Sequence, residues 1–137
     1  LMDQFESWLG ENATKLHPVE LAAEAHYQLV RIHPFVDGNG RTSRLLMNLI
    51  LLMTGYPIAI IRKRDRMKYL NSLEKAQTDG GKDDFYKIVA QAVDRSLELY
   101  EDAGVWRKMQ AAAMKSDVSW EKSARIYAGL YRDLMKE

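Results

Sequence analysis

Apolar residues recur along this chain three or four positions apart, and glycine and proline separate the runs. No stretch shows the strict alternation of apolar and polar residues that is typical of a strand. The pattern predicts an all-α fold, a compact bundle of about six or seven helices. The predicted helices cover residues 2–9, 18–32, 41–54, 65–78, 83–102, 105–114 and 120–134.

Two of these helices carry more specific expectations. Gly10 follows an apolar run and is predicted to end the first helix. Residues 41–54 are apolar nearly all round, which predicts a central helix that is buried on every side. The longest apolar run, residues 45–53, is interrupted by Asn48 and is too short to span a bilayer, so no membrane partner is expected.

The composition narrows the class of protein. The 137 residues fit one domain, and they include no cysteine, which excludes a disulfide scaffold, a thiolate nucleophile and a cysteine-based zinc site. The lack of cysteine, with no signal peptide visible at Leu1, leads us to expect a cytoplasmic or recombinant protein. The net charge is only +1, and no nucleic-acid partner is expected.

The charge is unevenly distributed, however. Residues 41–75 are predominantly basic, which suits an anionic ligand such as a nucleotide. For residues 62–68 taken alone, a solvated helix face is the favoured interpretation.

Most of the candidate chemistry lies in the loop between the second and third predicted helices. Gly38 and Gly40 can adopt positive φ, and Asn39 tolerates it better than most residues, so successive N–H groups can form an anion nest. The loop leads into a helix N-terminus, whose free amides and positive dipole end attract phosphate. Its sequence reads His33-Pro34-Phe35-Val36-Asp37-Gly38-Asn39-Gly40-Arg41-Thr42-Ser43-Arg44.

Four side chains of this loop suit a phosphate site in different ways. Arg41 and Arg44 lie one helical turn apart, so both guanidinium groups can point at one anion. Asp37 supplies a hard carboxylate, and a carboxylate together with substrate phosphates is the usual way to hold Mg²⁺. His33 is a base that works near neutral pH. We therefore favour a nucleotide-phosphate site over a glycine-rich turn with exposed arginines.

The string resembles the signature of the Fic family, His-x-Phe-x-(Asp/Glu)-Gly-Asn-Gly-Arg-x-x-Arg, and it fills every fixed position. The resemblance extends over about residues 1–100, a Fic-like helical core. The flanking strings are similar to Fic proteins related to the animal endoplasmic-reticulum AMP-transferase. These strings are His17-Pro18-Val19-Glu20, Leu45-Leu46-Met47-Asn48 and Gly55-Tyr56-Pro57.

The resemblance implies transfer of AMP from ATP, with Mg²⁺, to a Ser, Thr or Tyr hydroxyl of an unidentified target protein. It implies that His33 takes the proton of that hydroxyl and that Asp37 holds the metal. It also implies a set of phosphate-binding residues: Gly38, Asn39, Gly40, Arg41 and Arg44.

Other side chains have supporting roles in this interpretation. Phe35 is expected to be a core plug that anchors the loop. Tyr69 either stacks near the adenine or is an ordinary surface tyrosine of its helix. His17 and His26 do not lie at ligand spacing with His33, so structural roles are expected for both.

Two departures from the family lead us to expect weak or absent activity. The chain is expected to lack the flap, a hairpin that aligns the target in Fic enzymes. Residues 97–137 resemble instead the C-terminal helices of bacterial glycogen synthases, through the string Ser119-Trp120-Glu121-Lys122-Ser123-Ala124-Arg125. The two resemblances meet at residues 96–104, within one predicted continuous helix, which suggests a chimera whose tail packs on the core as one domain.

Two alternatives to AMP transfer therefore remain open. One is an engineered or chimeric helical scaffold that keeps the Fic motif without catalytic activity. The other is a Fic variant that transfers a different phosphate-containing group. The sequence leaves the target, the base preference and the oligomeric state open.

Overall fold

The computed structural model describes residues 1–78, 80–116 and 120–135. These residues form seven α-helices and one short 3₁₀ helix, Lys63–Asp65, and they contain no strand, so the predicted all-α fold is confirmed. The α-helices are α1 (Met2–Asn12), α2 (Pro18–Ile32), α3 (Asn39–Met53), α4 (Arg66–Thr78), α5 (Asp83–Glu101), α6 (Ala103–Lys115) and α7 (Trp120–Leu134).

The chain divides into two compact units, Leu1–Glu101 and Asp102–Glu137. Within the first unit α2 is the central helix, since it contacts α1, α3 and α5, while α4 contacts α5. Residues 21–27 of α2 are all buried. Three of them are alanines, whose small side chains let neighbouring helices approach α2 from several sides. The core is completed by Met47 and Leu51 of α3 and by Phe85, Val89 and Val93 of α5.

The prediction that α3 is buried on every side is wrong. Met47 and Leu51 are fully buried, whereas the side chains on the opposite face of the helix lie in solvent. A helix that is apolar all round does not reveal which of its faces a neighbour covers, because periodicity is then lost. The exposed apolar residues of α3 are Leu45, Leu49, Leu52 and Met53.

The prediction that Gly10 ends α1 is also wrong, because the helix continues to Asn12. The side-chain amide of Asn12 donates to the carbonyl of Trp8 at 2.8 Å, which stabilises the last turn. Phe5 is buried in the core and stacks with Trp8. A glycine inside a helix costs about 1 kcal/mol relative to alanine, and burial of an aromatic side chain exceeds this cost.

The second unit begins where the chain leaves α5. Asp102 has φ −81° and ψ 91°, and its carboxylate caps α6 by accepting from the amides of Gly104 and Val105, both at 3.0 Å. The expectation of one continuous helix through residues 96–104 is therefore wrong. The predicted helix 120–134 is confirmed, whereas the string that begins at Ser119 lies partly outside the described residues.

No helix in the described ranges is both long enough and apolar enough to cross a membrane.

Candidate phosphate-binding site

His33 lies where α2 ends and the loop begins. Its backbone is left-handed, with φ 52° and ψ 54°, and its N–H donates to the carbonyl of Leu29 at 3.1 Å. It is the only non-glycine residue with positive φ in the described part of the chain. Its side chain is exposed. Residues held in this sparsely populated region cluster at functional sites, so the backbone supports a functional role for this histidine.

The loop is closed by the side chain of Asn39, the first residue of α3. Its Oδ1 accepts from the Phe35 N–H at 2.9 Å, and its Nδ2 donates to the Phe35 carbonyl at 2.6 Å. Asn39 is buried, whereas the Phe35 ring is 47% exposed. The prediction of Phe35 as a core plug is therefore wrong, since its backbone, and not its ring, anchors the loop.

Asp37 is oriented by the loop itself. Its Oδ1 accepts from the Gly38 N–H at 2.6 Å, and its Oδ2 accepts from Arg41 Nη2 at 2.9 Å. Both side chains of this ion pair are largely exposed. The described residues contain no cluster of three or more histidine, cysteine or acidic side chains that could hold a metal. One exposed carboxylate beside the helix N-terminus, that of Asp37, fits the Mg²⁺ mode that combines a carboxylate with substrate phosphates.

Gly38 has the predicted positive φ, at +88°, but Gly40 does not. Gly40 lies within the first turn of α3, because that helix begins at Asn39 and not at Arg41 as predicted. The amides of Arg41 and Thr42 both donate to the Gly38 carbonyl at 2.9 Å. The first amides of α3, those of Asn39 and Gly40, lie outside the helical ladder and are the donors available to an anion.

A cleft of about 710 Å³ adjoins this helix N-terminus. Arg41 and Arg44 of α3 line one part of it, and Tyr69 of α4 lines another. The link over residues 59–61 forms a further wall. It is held to α3 because Asn48 Oδ1 accepts from the Ala59 N–H at 2.9 Å. A Cβ at Gly40 would lie 3.5 Å from Arg44 Nη1.

Of the two roles that the sequence left open for Tyr69, the structure excludes the surface tyrosine, and adenine stacking stays a prediction. Tyr69 is only 3% exposed. Its ring packs against Phe85 and His26, and the residue lines the cleft. Burial raises the pKa of Tyr69, while a hydrogen bond from Arg44 and the positive charge of Arg44 oppose the rise.

The other two histidines have structural positions. His26 is fully buried, and its Nε2 lies 2.7 Å from the Tyr69 hydroxyl. Burial lowers the pKa of His26 to about 4, so the ring is neutral at pH 7. His17 caps α2, and its Nδ1 accepts from the Val19 N–H at 3.3 Å.

Sequence reasoning missed two residues of the cleft, Lys63 and Arg66. Both fall within residues 62–68, which the sequence analysis interpreted as a solvated face. The available signal was the density of cations at a helix N-terminus, where positive charge is unfavourable.

These features define a helical protein whose loop and helix N-terminus form a candidate anion-binding site. Residues 1–51 match the sequence profile of the Fic/DOC family. The chain is 52% identical over 101 residues to the proteins described as protein adenylyltransferase Fic from Drosophila virilis and Drosophila melanogaster. These matches cover 73% of this chain, which spans about a fifth of the length of the two relatives.

Solved structures support the same relationship. Fic-1 from C. elegans is 40% identical, with a TM-score of 0.69, over 75% of this chain and 30% of that one. A Fic-domain-containing signalling protein from Bacteroides thetaiotaomicron is 39% identical, with a TM-score of 0.66, over 72% of this chain and 42% of that one.

Residues 1–51 therefore match the Fic/DOC family, and the resemblance of the motif to that family is confirmed. The proposed resemblance of residues 97–137 to glycogen synthases, and with it the chimera, has no support from these matches.

Proposed function

We propose that this chain transfers AMP from ATP to a Ser, Thr or Tyr hydroxyl of a protein. The observation that carries the proposal is the arrangement of the loop. The buried Asn39 side chain holds Phe35, so that the exposed His33 and the first amides of α3 lie at the two ends of one closed turn. A base and an anion-binding helix N-terminus are thereby brought to the same loop. Residues 1–100 act as the Fic core in this proposal, and residues 101–137 form a helical tail.

The proposed step is a substitution at the α-phosphorus. His33 takes the proton of the target hydroxyl, whose oxygen bonds to the α-phosphorus, and the bond from that phosphorus to the bridging oxygen of the β-phosphate breaks. Pyrophosphate leaves with the bonding electrons. The amides of Asn39 and Gly40 bind phosphate oxygens, and the Gly38 amide joins them when Asp37 turns from it to the metal. Arg41 and Arg44 neutralise the outer phosphates.

Asp37 is the residue that would hold Mg²⁺ together with the phosphates. The metal supplies charge neutralisation at the phosphate oxygens. Asp37 pairs with Arg41 in the structure, but both side chains are largely exposed. An exposed ion pair contributes about 0–1 kcal/mol, so releasing Asp37 to the metal and Arg41 to a phosphate costs little.

The test is incorporation of label from ATP that is labelled in its α-phosphate. The protein is incubated with Mg²⁺ and candidate target proteins, alone and as His33→Ala. His17→Asn serves as the matched control, because it removes a histidine outside the loop while keeping a capping side chain. We expect label with the wild type and with His17→Asn, and none with His33→Ala.

Three other outcomes would contradict the proposal. Equal labelling by His33→Ala would exclude the proposed base. No label in any sample, with no nucleotide binding by calorimetry, would favour a non-catalytic helical scaffold. Label transferred from another phosphate-containing donor but not from ATP would favour a Fic variant with a different reaction.

A further inference from the structure

The N-terminus of α4 has an unfavourable distribution of charge. Within residues 62–68 there are five cations and a single acid, Asp65. The first turn of α4 contains no acidic residue, although the positive end of a helix dipole is stabilised by acids and destabilised by cations. Asp65 lies 4.0 Å from Arg64 and 3.9 Å from Arg95, so its charge is already shared. A departure from this preference for acids at a helix N-terminus is expected at functional sites.

Two of these five cations line the same cleft. Lys63 and Arg66 line the cleft of about 710 Å³ that Arg41 and Arg44 also line, and none of its lining residues, all of which lie in the described ranges, is acidic. The walls between the cations are apolar, with Leu45, Ile60 and Ile61 among them. Apolar walls lower the local dielectric and strengthen the attraction of an anion.

We propose that Lys63 and Arg66 form a second anion subsite, which binds the outer phosphates of the nucleotide on the far side of the cleft from the α3 N-terminus. The proposal rests on the function proposed above and extends it to the pyrophosphate group. Four lining cations suit a polyphosphate, which carries several negative charges, and Arg41 is released for it when Asp37 turns to the metal. A single phosphate needs only the helix N-terminus and its arginines.

The subsite has a consequence for selectivity. A nucleoside triphosphate reaches both cation pairs, whereas AMP has no phosphate that extends to Lys63 and Arg66. These two residues therefore help to select the donor and to hold pyrophosphate as it leaves.

The test uses calorimetric titration of the whole chain with inorganic pyrophosphate, ATP and AMP. The variant is Lys63→Ala with Arg66→Ala. The matched control is Arg64→Ala with Lys68→Ala, which removes the same charge from the same segment at two exposed residues that do not line the cleft. A charge-assisted contact is worth about tenfold or more in affinity, so we expect losses of that size or larger for pyrophosphate and ATP in the first variant. AMP affinity, and all affinities of the control, should stay within about twofold.

A stability measurement distinguishes loss of the subsite from misfolding of the variant. Because the removed cations face a helix dipole of the same sign, the Lys63→Ala, Arg66→Ala variant should melt no lower than the wild type without ligand. Wild type should gain more thermal stability from pyrophosphate than the variant does.

Several outcomes would overturn the subsite. These are equal losses in variant and control, no loss in the variant, an equal loss for AMP, a lower melting temperature of the unliganded variant, or no pyrophosphate binding by the wild type. The proposed AMP transfer can fail independently of the subsite. A wild-type chain that binds pyrophosphate through Lys63 and Arg66 but transfers no AMP would keep the subsite and exclude the reaction.

Discussion

The side-chain amide of Asn39 holds both backbone polar groups of Phe35, four residues earlier in the chain, at 2.9 and 2.6 Å. This pair of bonds closes the loop over the anion-binding helix end. It also explains why an asparagine lies between two glycines, since only a short side chain with both a donor and an acceptor can pair with the N–H and the C=O of one residue.

Asn39→Asp should weaken the loop while keeping its shape. The aspartate still accepts from the Phe35 N–H, but it cannot donate to the Phe35 carbonyl and places a charge in a buried position. We expect the free energy of unfolding to fall by about 1–3 kcal/mol, measured by urea denaturation, and pyrophosphate binding to weaken. Asn71→Asp, at an exposed position of α4, is the control. Equal stability of the two variants would contradict this role for Asn39.

Gly38→Ala should be destabilising because of the backbone alone. The residue has φ +88°, and an added Cβ meets its nearest atom, Arg41 Nη2, only at 3.6 Å, so the strain is conformational and not steric crowding. We expect a loss of about 1 kcal/mol in the free energy of unfolding. Gly10→Ala, in the interior of α1 with nothing within 4 Å of the added Cβ, should be neutral or stabilising. The prediction fails if the two alanines have the same effect.

Protonation of His26 should make stability depend on pH. The pKa of His26 is lowered from 6.5 to about 4 by burial. Between these two pH values the unfolded chain binds a proton that the folded chain does not, so stability rises with pH across this window. The full effect is about 3 kcal/mol, present at pH 7 and lost progressively toward pH 4. His26→Gln should lack this part of the dependence, and parallel curves for both proteins would refute it.

The hydroxyl of Tyr69 should matter for the position of Arg44. The positive charge of Arg44 acts on this hydroxyl, which in turn lies 2.7 Å from His26 Nε2. Tyr69→Phe keeps the ring in the core but removes both interactions. We expect a loss of about 1–3 kcal/mol in stability, because His26 is left without this partner, and weaker ATP binding. Tyr127→Phe, at an exposed position of α7, is the control, and ATP affinity unchanged by Tyr69→Phe would exclude a positioning role.

Glu24 should link α2 to α5 in a charge-dependent way. Its carboxylate accepts from Lys82 Nζ at 2.8 and 2.9 Å and from the Tyr86 hydroxyl. Burial raises the pKa of Glu24, but the hydrogen bonds from Lys82, Tyr86 and Gln28 outweigh it and lower the pKa below 4.5. Its stabilising contribution is therefore present above pH 4.5 and is lost as the pH falls through the lowered pKa.

Glu24→Gln tests this link. We expect a loss of about 2 kcal/mol at pH 7, less than for a fully buried pair because the Lys82 side chain is 32% exposed. The second variant is Lys82→Met, measured alone and together with Glu24→Gln. Strict additivity of the two losses in this double-mutant cycle would show that the pair is not coupled.

The sequence was sufficient to predict where most helices lie and which loop carries the candidate site. Apolar spacing located α2 and α7 almost to the residue, and Pro18 and Pro34 marked the two ends of α2, because these signals act within a few residues of one another. The Gly-Asn-Gly-Arg string indicated the anion site for the same reason. Which residues perform the proposed steps stays a prediction that the variants above can test.

The sequence by itself determined the helical class, the Fic motif and the chemistry that its residue types offer. Only the tertiary structure decided that Asn39 and not the Phe35 ring anchors the loop, that one face of α3 is exposed, and that the Tyr69 ring is buried. It also brought Lys63 and Arg66 to the cleft of Arg41 and Arg44. The physical reason is that local periodicity records which side chains are apolar or charged, whereas burial and convergence depend on neighbours that are distant along the chain.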